Sequence, residues 1–217
     1  MIENMGDSFM EMEGDQMAGA FGAMDQNDMQ SMGGDQVFEA AGNMEASDFQ
    51  SMGGDSALAM FDTIGAESAV GLEGDQLAGM FGAMDGDQLH SIGEDQLFDT
   101  VGSMTQDNFA SMDSDSAFGM FDAMGSENAM ALEGDQMAGM FGAMDQEQIG
   151  GMHGDTVFSA FENIGTDGML AMDGDSKAGM FDAMGPDNFG AIGGTEMFDM
   201  VGNMSGDNFA AMGSDSA

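Results

Sequence analysis

The sequence predicts an all-α fold, an α-solenoid of tandem 20-residue units, each pairing a long helix of about 9–11 residues with a short one of about 6–8. Three observations predict it: a period that never slips, apolar columns at helical spacing, and recurring helix-start words. The words "GDQMAGMFGAMDQEQIGGMH" at 134–153 recur with few changes at 14–33 and 74–93. Asp15, Asp35, Asp55, Asp75, Asp95, Asp115, Asp135, Asp155, Asp175 and Asp215 form a ladder broken only at Thr195. Regularity of this kind marks a repeat architecture. Units begin near 14, 34, 54, 74, 94, 114, 134, 154, 174 and 194, with partial units at both ends, so 1–217 reads as a single array. A looser 60-residue period relates 14–73, 74–133 and 134–193.

The long helix is read from Met137, Met140, Phe141 and Met144, which fall at i, i+3, i+4 and i+7 and share one helical face. Ile149 and Met152 make a shorter i, i+3 pair for the second helix. Across units the same positions form columns. One runs Met44, Ile64, Met84, Met104, Met124, and another Phe49, Ala69, Leu89, Phe109, Ala129. A third is Met52, Leu72, Ile92, Met112, Leu132. A volume exchange is expected within the long helix. Phe38, Phe98 and Phe198 precede the small Ala41, Val101 and Val201, while Ala18, Ala78, Ala138 and Ala178 precede Phe21, Phe81, Phe141 and Phe181.

Helix starts are legible too. "TQDN" at 105, "DQEQ" at 145, "GPDN" at 185 and "SGDN" at 205 open short helices with a capping residue, usually an acid third and often an amide fourth. Pro186 falls at a first helical position, where its missing N–H costs nothing. "DSDS" at 113, "EGDQ" at 133 and "DGDS" at 173 open long helices, and their acids face the positive end of the helix dipole. Helices this short are marginal alone, and Gly139 and Gly142 weaken one further. The expected return is close approach of neighbouring backbones. A β-solenoid also suits a 20-residue coil, but Val, Ile and Thr are scarce and the apolar period is not 2.

Composition narrows function. The chain carries 41 Asp and Glu against the single base Lys177, a net charge of −40. No nucleic-acid partner is expected, because nothing would neutralise phosphates, and cations are the natural counter-species. With no Cys there are no disulfides or thiolate sites. No apolar run is long enough to span a membrane, and the acidic N-terminus lacks the pattern of a signal peptide. The 30 methionines interchange with Leu, Ile and Phe within columns, which suits adaptable core filler rather than copper ligands. His90 and His153 occupy unrelated repeat positions, and no Ser–His–Asp set can be assembled. No catalytic or cofactor-binding residue is assigned. Lys177 is expected to snorkel from the edge of the apolar stripe.

The acids supply the candidate site. Asp15, Asp35, Asp55, Asp75, Asp95, Asp135 and Asp155 are expected along one edge, with Asp113/Asp115 and Asp173/Asp175 as local pairs able to offer oxygen ligands to Ca²⁺. The fold itself requires no cofactor on this reading. The leading functional expectation is a structural, non-enzymatic, methionine-rich acidic rod or filament element, extracellular or at the cell surface. Neither end resembles a polar cap, so either the chain is a segment of a longer array or copies stack end to end. Divalent-cation (calcium) binding or mineral association is the alternative, and a solenoid protein-interaction surface the third.

Overall fold

The computed structural model describes residues 12–202 and 204–212; Asp215 and the terminal stretches noted above lie outside them, as do the side chains of Pro186 and Phe189. The described residues are all helical and contain no strand. The first run is α1 (Gly14–Phe21), α2 (Gln26–Met32), α3 (Gly34–Ala41), α4 (Ala46–Met52), α5 (Gly54–Ile64), α6 (Ala66–Ala69), α7 (Gly74–Gly82), α8 (Gly86–Ile92) and α9 (Glu94–Val101). There follow α10 (Gln106–Ala110), α11 (Ser114–Ala129), α12 (Gly134–Ala143), α13 (Gln146–Gly150), α14 (Gly154–Ala171), α15 (Gly174–Phe189), α16 (Gly194–Val201) and α17 (Gly206–Ala211). In α11, α14 and α15 a long and a short helix run on through one glycine, at Gly125 (φ 72°), Gly165 (φ 66°) and Gly185 (φ 69°). Those angles lie in the left-handed region, which only glycine enters without strain.

Several short helices are shorter than their periodicity suggests: α6 has 4 residues, and α10 and α13 have 5 each. The cause is a tightened last turn. Leu72 N–H reaches Ala69 O, Met112 reaches Phe109, and Met152 reaches Ile149, all i→i−3 bonds of 2.9–3.0 Å. Tightening satisfies end carbonyls; Leu72 and Met112 still reach the core.

Contacts group the chain into two bodies, Met1–Met104 with Gly119–Gly125, and Thr105–Phe118 with Ser126–Ala217. One contact recurs in both: a helix packs on the third helix before or after it in the chain, counting each of α11, α14 and α15 as its two parts. In the first body α4 lies against both α1 and α7, α5 against α2 and α8, and α6 against α9. In the second, α10 packs on α12, and α15 packs on α13 and α17. The core lies between these layers. Met137, Met140 and Phe141 are fully buried, as are Phe49, Ala69, Leu89 and Phe109 of the short-helix column. Burial of the larger of these side chains is worth roughly 1.5–3 kcal/mol each.

The volume exchange fails in part. Phe21, Phe81, Phe141 and Phe181 are buried as expected, and so are Ala41 and Val101. Phe38 and Phe98, however, are only half-buried, and Phe198 is 75% exposed. The fully buried Val37 and Leu97 hold the inner face of those helices, so a Phe one residue on is turned away from it.

Glycine does set how closely the layers approach. A methyl on Gly139 would meet Gln106 Cα at 2.9 Å, and one on Gly79 would meet Ala46 O at 2.6 Å. The glycine opening many long helices has the same role, which the Asp ladder obscures. A methyl on Gly34 would lie 2.8 Å from Thr63 O, and on Gly154 2.7 Å from Ala183 O, each carbonyl standing near the end of the next unit's long helix. Gly142, by contrast, faces open space.

Neighbouring glycines of one helix therefore carry opposite signs. Gly139→Ala is expected to lower stability by about 1–3 kcal/mol through overpacking, and Gly142→Ala to raise it by about 1 kcal/mol through helix propensity. Urea denaturation followed by circular dichroism checks both.

Candidate functional site

Two of the predicted acids are helix caps, and the others stand in first turns. Asp113 and Asp173 are helix-start acceptors, taking the N–H of Ser116 at 2.9 Å and Ser176 at 2.8 Å. Asp15, Asp35, Asp55, Asp75, Asp95, Asp115, Asp135, Asp155 and Asp175 all stand in first turns of long helices and are exposed. Among the described residues the structure draws no three acidic or histidine side chains together in a group able to hold a metal ion.

It brings these acids to side-chain amides instead. Gln88 Nε2 donates to Asp55 at 2.7 Å, and Gln148 Nε2 donates to Asp115 at 2.9 Å. Asn188 donates to Asp155 at 3.3 Å, and Asn208 donates to Asp175. Each pair is separated by 33 residues. The amides of Gln88, Gln148 and Asn208 also close capping boxes: their oxygens accept the N–H of Asp85, Asp145 and Ser205 at 3.0, 3.1 and 2.8 Å. One amide at the third helical position thus caps its own helix and meets the hydrogen-bonding demand of an acid in the layer before. The amide is visible in "DQEQ" and "SGDN"; its second partner is not.

The long helices use the equivalent position differently. Gln76 accepts the Glu73 N–H at 3.0 Å and donates from Nε2 to the carbonyls of Gly42 (2.9 Å) and Met44 (3.1 Å). Ser176 reaches the corresponding carbonyls of Gly142 and Met144 only at 3.4 and 3.5 Å. Ser56 has no side-chain hydrogen bond among the described residues. It lines an open cleft of about 830 Å³ together with Gly22, Met24, Asp25, Asp55, Asp62 and Asp85. Asp62 accepts from Gln26 Nε2 at 3.2 Å, and desolvation in the cleft wall raises its carboxyl above the usual value. A related cleft of about 560 Å³ includes Gly142, Met144, Asp145, Asp173, Asp175 and Ser176.

Lys177 departs from expectation. It does not snorkel; the residue is 1% exposed and its Nζ lies 3.5 Å from Leu170 O. It occupies the column of Met17, Leu77 and Met137, all fully buried, so its stem is enclosed with the core. Desolvation lowers its ammonium from the usual value of 10.5, and the charge of Asp173 offsets part of that. His90 is a surface residue, its Nδ1 2.7 Å from Gly86 O and its Nε2 3.3 Å from Asp122. His153 takes a helix-start position, with no capping bond from its ring.

Comparison with protein-family models, with curated proteins and with solved structures gives no match.

Lys177 is the only Lys or Arg in the chain, and Tyr and Cys are absent. A folded value below the unfolded one means the unfolded chain binds more protons between them, so stability rises with pH through that window. The denaturation midpoint is expected to climb as pH approaches 10.5. Lys177→Met should abolish that climb and add about 1–3 kcal/mol at neutral pH by removing a buried charge.

Proposed function

We propose that this chain is a structural, non-enzymatic element: an acidic helical-repeat rod that associates end to end into filaments outside the cell. The observation that carries the reading is the packing of helices on the third one along, which recurs within each body. If three helices make one turn, a 20-residue unit of two helices advances two-thirds of a turn. Equivalent positions then return after three units, which accounts for the 60-residue period. Growth by this rule needs no closing element, and each new turn covers the apolar face of the last. Linkers of one to four residues between the described helices support a scaffold role, because among the described residues they leave no long loop on which a catalytic site could be grafted. No described helix is long and apolar enough to cross a membrane. The acid rows face outward and would hold neighbouring rods apart at low salt.

Electron microscopy of the purified chain, with and without calcium, tests this. Particles of constant width, lengthening with protein concentration in either condition, are expected. Compact particles of fixed size would refute the filament reading, and assembly only with calcium would shift it to the cation-dependent alternative.

A further inference from the structure

We propose that the cleft at Ser56 binds the ammonium head of a small linear polyamine. The molecule shows what such a cradle takes. One layer away, the paired carbonyls of Gly42 and Met44 are filled by an N–H donor, the Gln76 amide. Asn163 bonds the carbonyls of Met130 (3.3 Å) and Leu132 (2.9 Å) in the same way. The offsets of 34 and 32 residues that set Gln76 on its carbonyls set Ser56 opposite Gly22 and Met24, both in the cleft wall. Ser56 is 9% exposed and makes no side-chain hydrogen bond to them among the described residues, whereas Ser176 reaches its own pair only at 3.4 and 3.5 Å. An ammonium group has three donors, enough for two carbonyls and a hydroxyl.

The rest of the cleft suits the remainder of such a ligand. Asp25, Asp62 and Asp85 supply negative charge for ammonium groups, while Met52, Leu58 and Ala59 offer apolar surface to methylenes. A bare metal ion fits less well, since no three carboxylates converge among the described residues. At the cleft of Ser176, in a later unit, the serine hydroxyl itself reaches the paired carbonyls, at 3.4 and 3.5 Å. This inference is independent of the filament reading.

A chain of charge −40 attracts any polyamine diffusely, so the decisive variant leaves charge unchanged. Ser56→Gln with Ser176→Gln places amides on the carbonyls, as Gln76 does. Calorimetric titration with 1,4-diaminobutane and spermidine at physiological salt should show saturable binding to the native chain, weakened at least tenfold in the double variant. Asp62→Asn should weaken it more than Glu39→Gln, which removes the same charge from an exposed position elsewhere. Equal binding by native chain and double variant, equal effects of the two charge removals, or no saturable binding would overturn the proposal.

Discussion

The helices of this protein depend on partners three helices away in the chain. The uninterrupted helices of the first body run from 4 to 11 residues, below the roughly 12–15 at which isolated helices become even marginal. Glycine inside several of them lowers intrinsic stability further. What propensity withholds, packing supplies: Gly79 and Gly139 let a long helix lie almost backbone to backbone on a short one, bringing the Met and Phe stripes together. The same glycines that weaken a helix in isolation therefore strengthen its packing on its neighbour.

This constraint also organises the charge. An acid at a helix start faces the positive end of the dipole and is stabilised there. Packing one layer on the next brings first-turn acids towards one another, and a row of carboxylates with no bases nearby would repel. Gln88, Gln148, Asn188 and Asn208 interleave amide donors with the acids they meet. Neutral amides do not remove the net charge, but they satisfy the lone pairs that face the protein and leave the rest to water and counter-ions.

Much of this was legible in the sequence because the information was local. Met137, Met140, Phe141 and Met144 share a face by spacing alone, and "TQDN" states its capping box in four letters. Most of what was illegible depends on pairings between units. The glycine before Asp35, Asp135 and Asp155 gives no sign that a carbonyl of the next unit's long helix is its reason. Phe38 and Phe98 read as exchanging volume with Ala41 and Val101, but Val37 and Leu97 already occupy the inner face. Lys177 looked like an edge residue because lysine usually is one; only its column, shared with Met17 and Met137, shows that it is enclosed. The candidate acids stand as exposed first-turn and capping residues, several of them bonded to amides, and no three of them converge among the described residues. The Ser56 cleft was missed because its serine matters only beside the glutamine of the next unit.

The most direct test of this dependence is far-UV circular dichroism of a peptide spanning residues 134–153 beside the whole chain. The account predicts a coil spectrum for the peptide, with no gain in helicity at high salt, and a strongly helical spectrum for the chain. A peptide as helical as the intact protein would show that these segments hold their form unaided, and would contradict the account at its root.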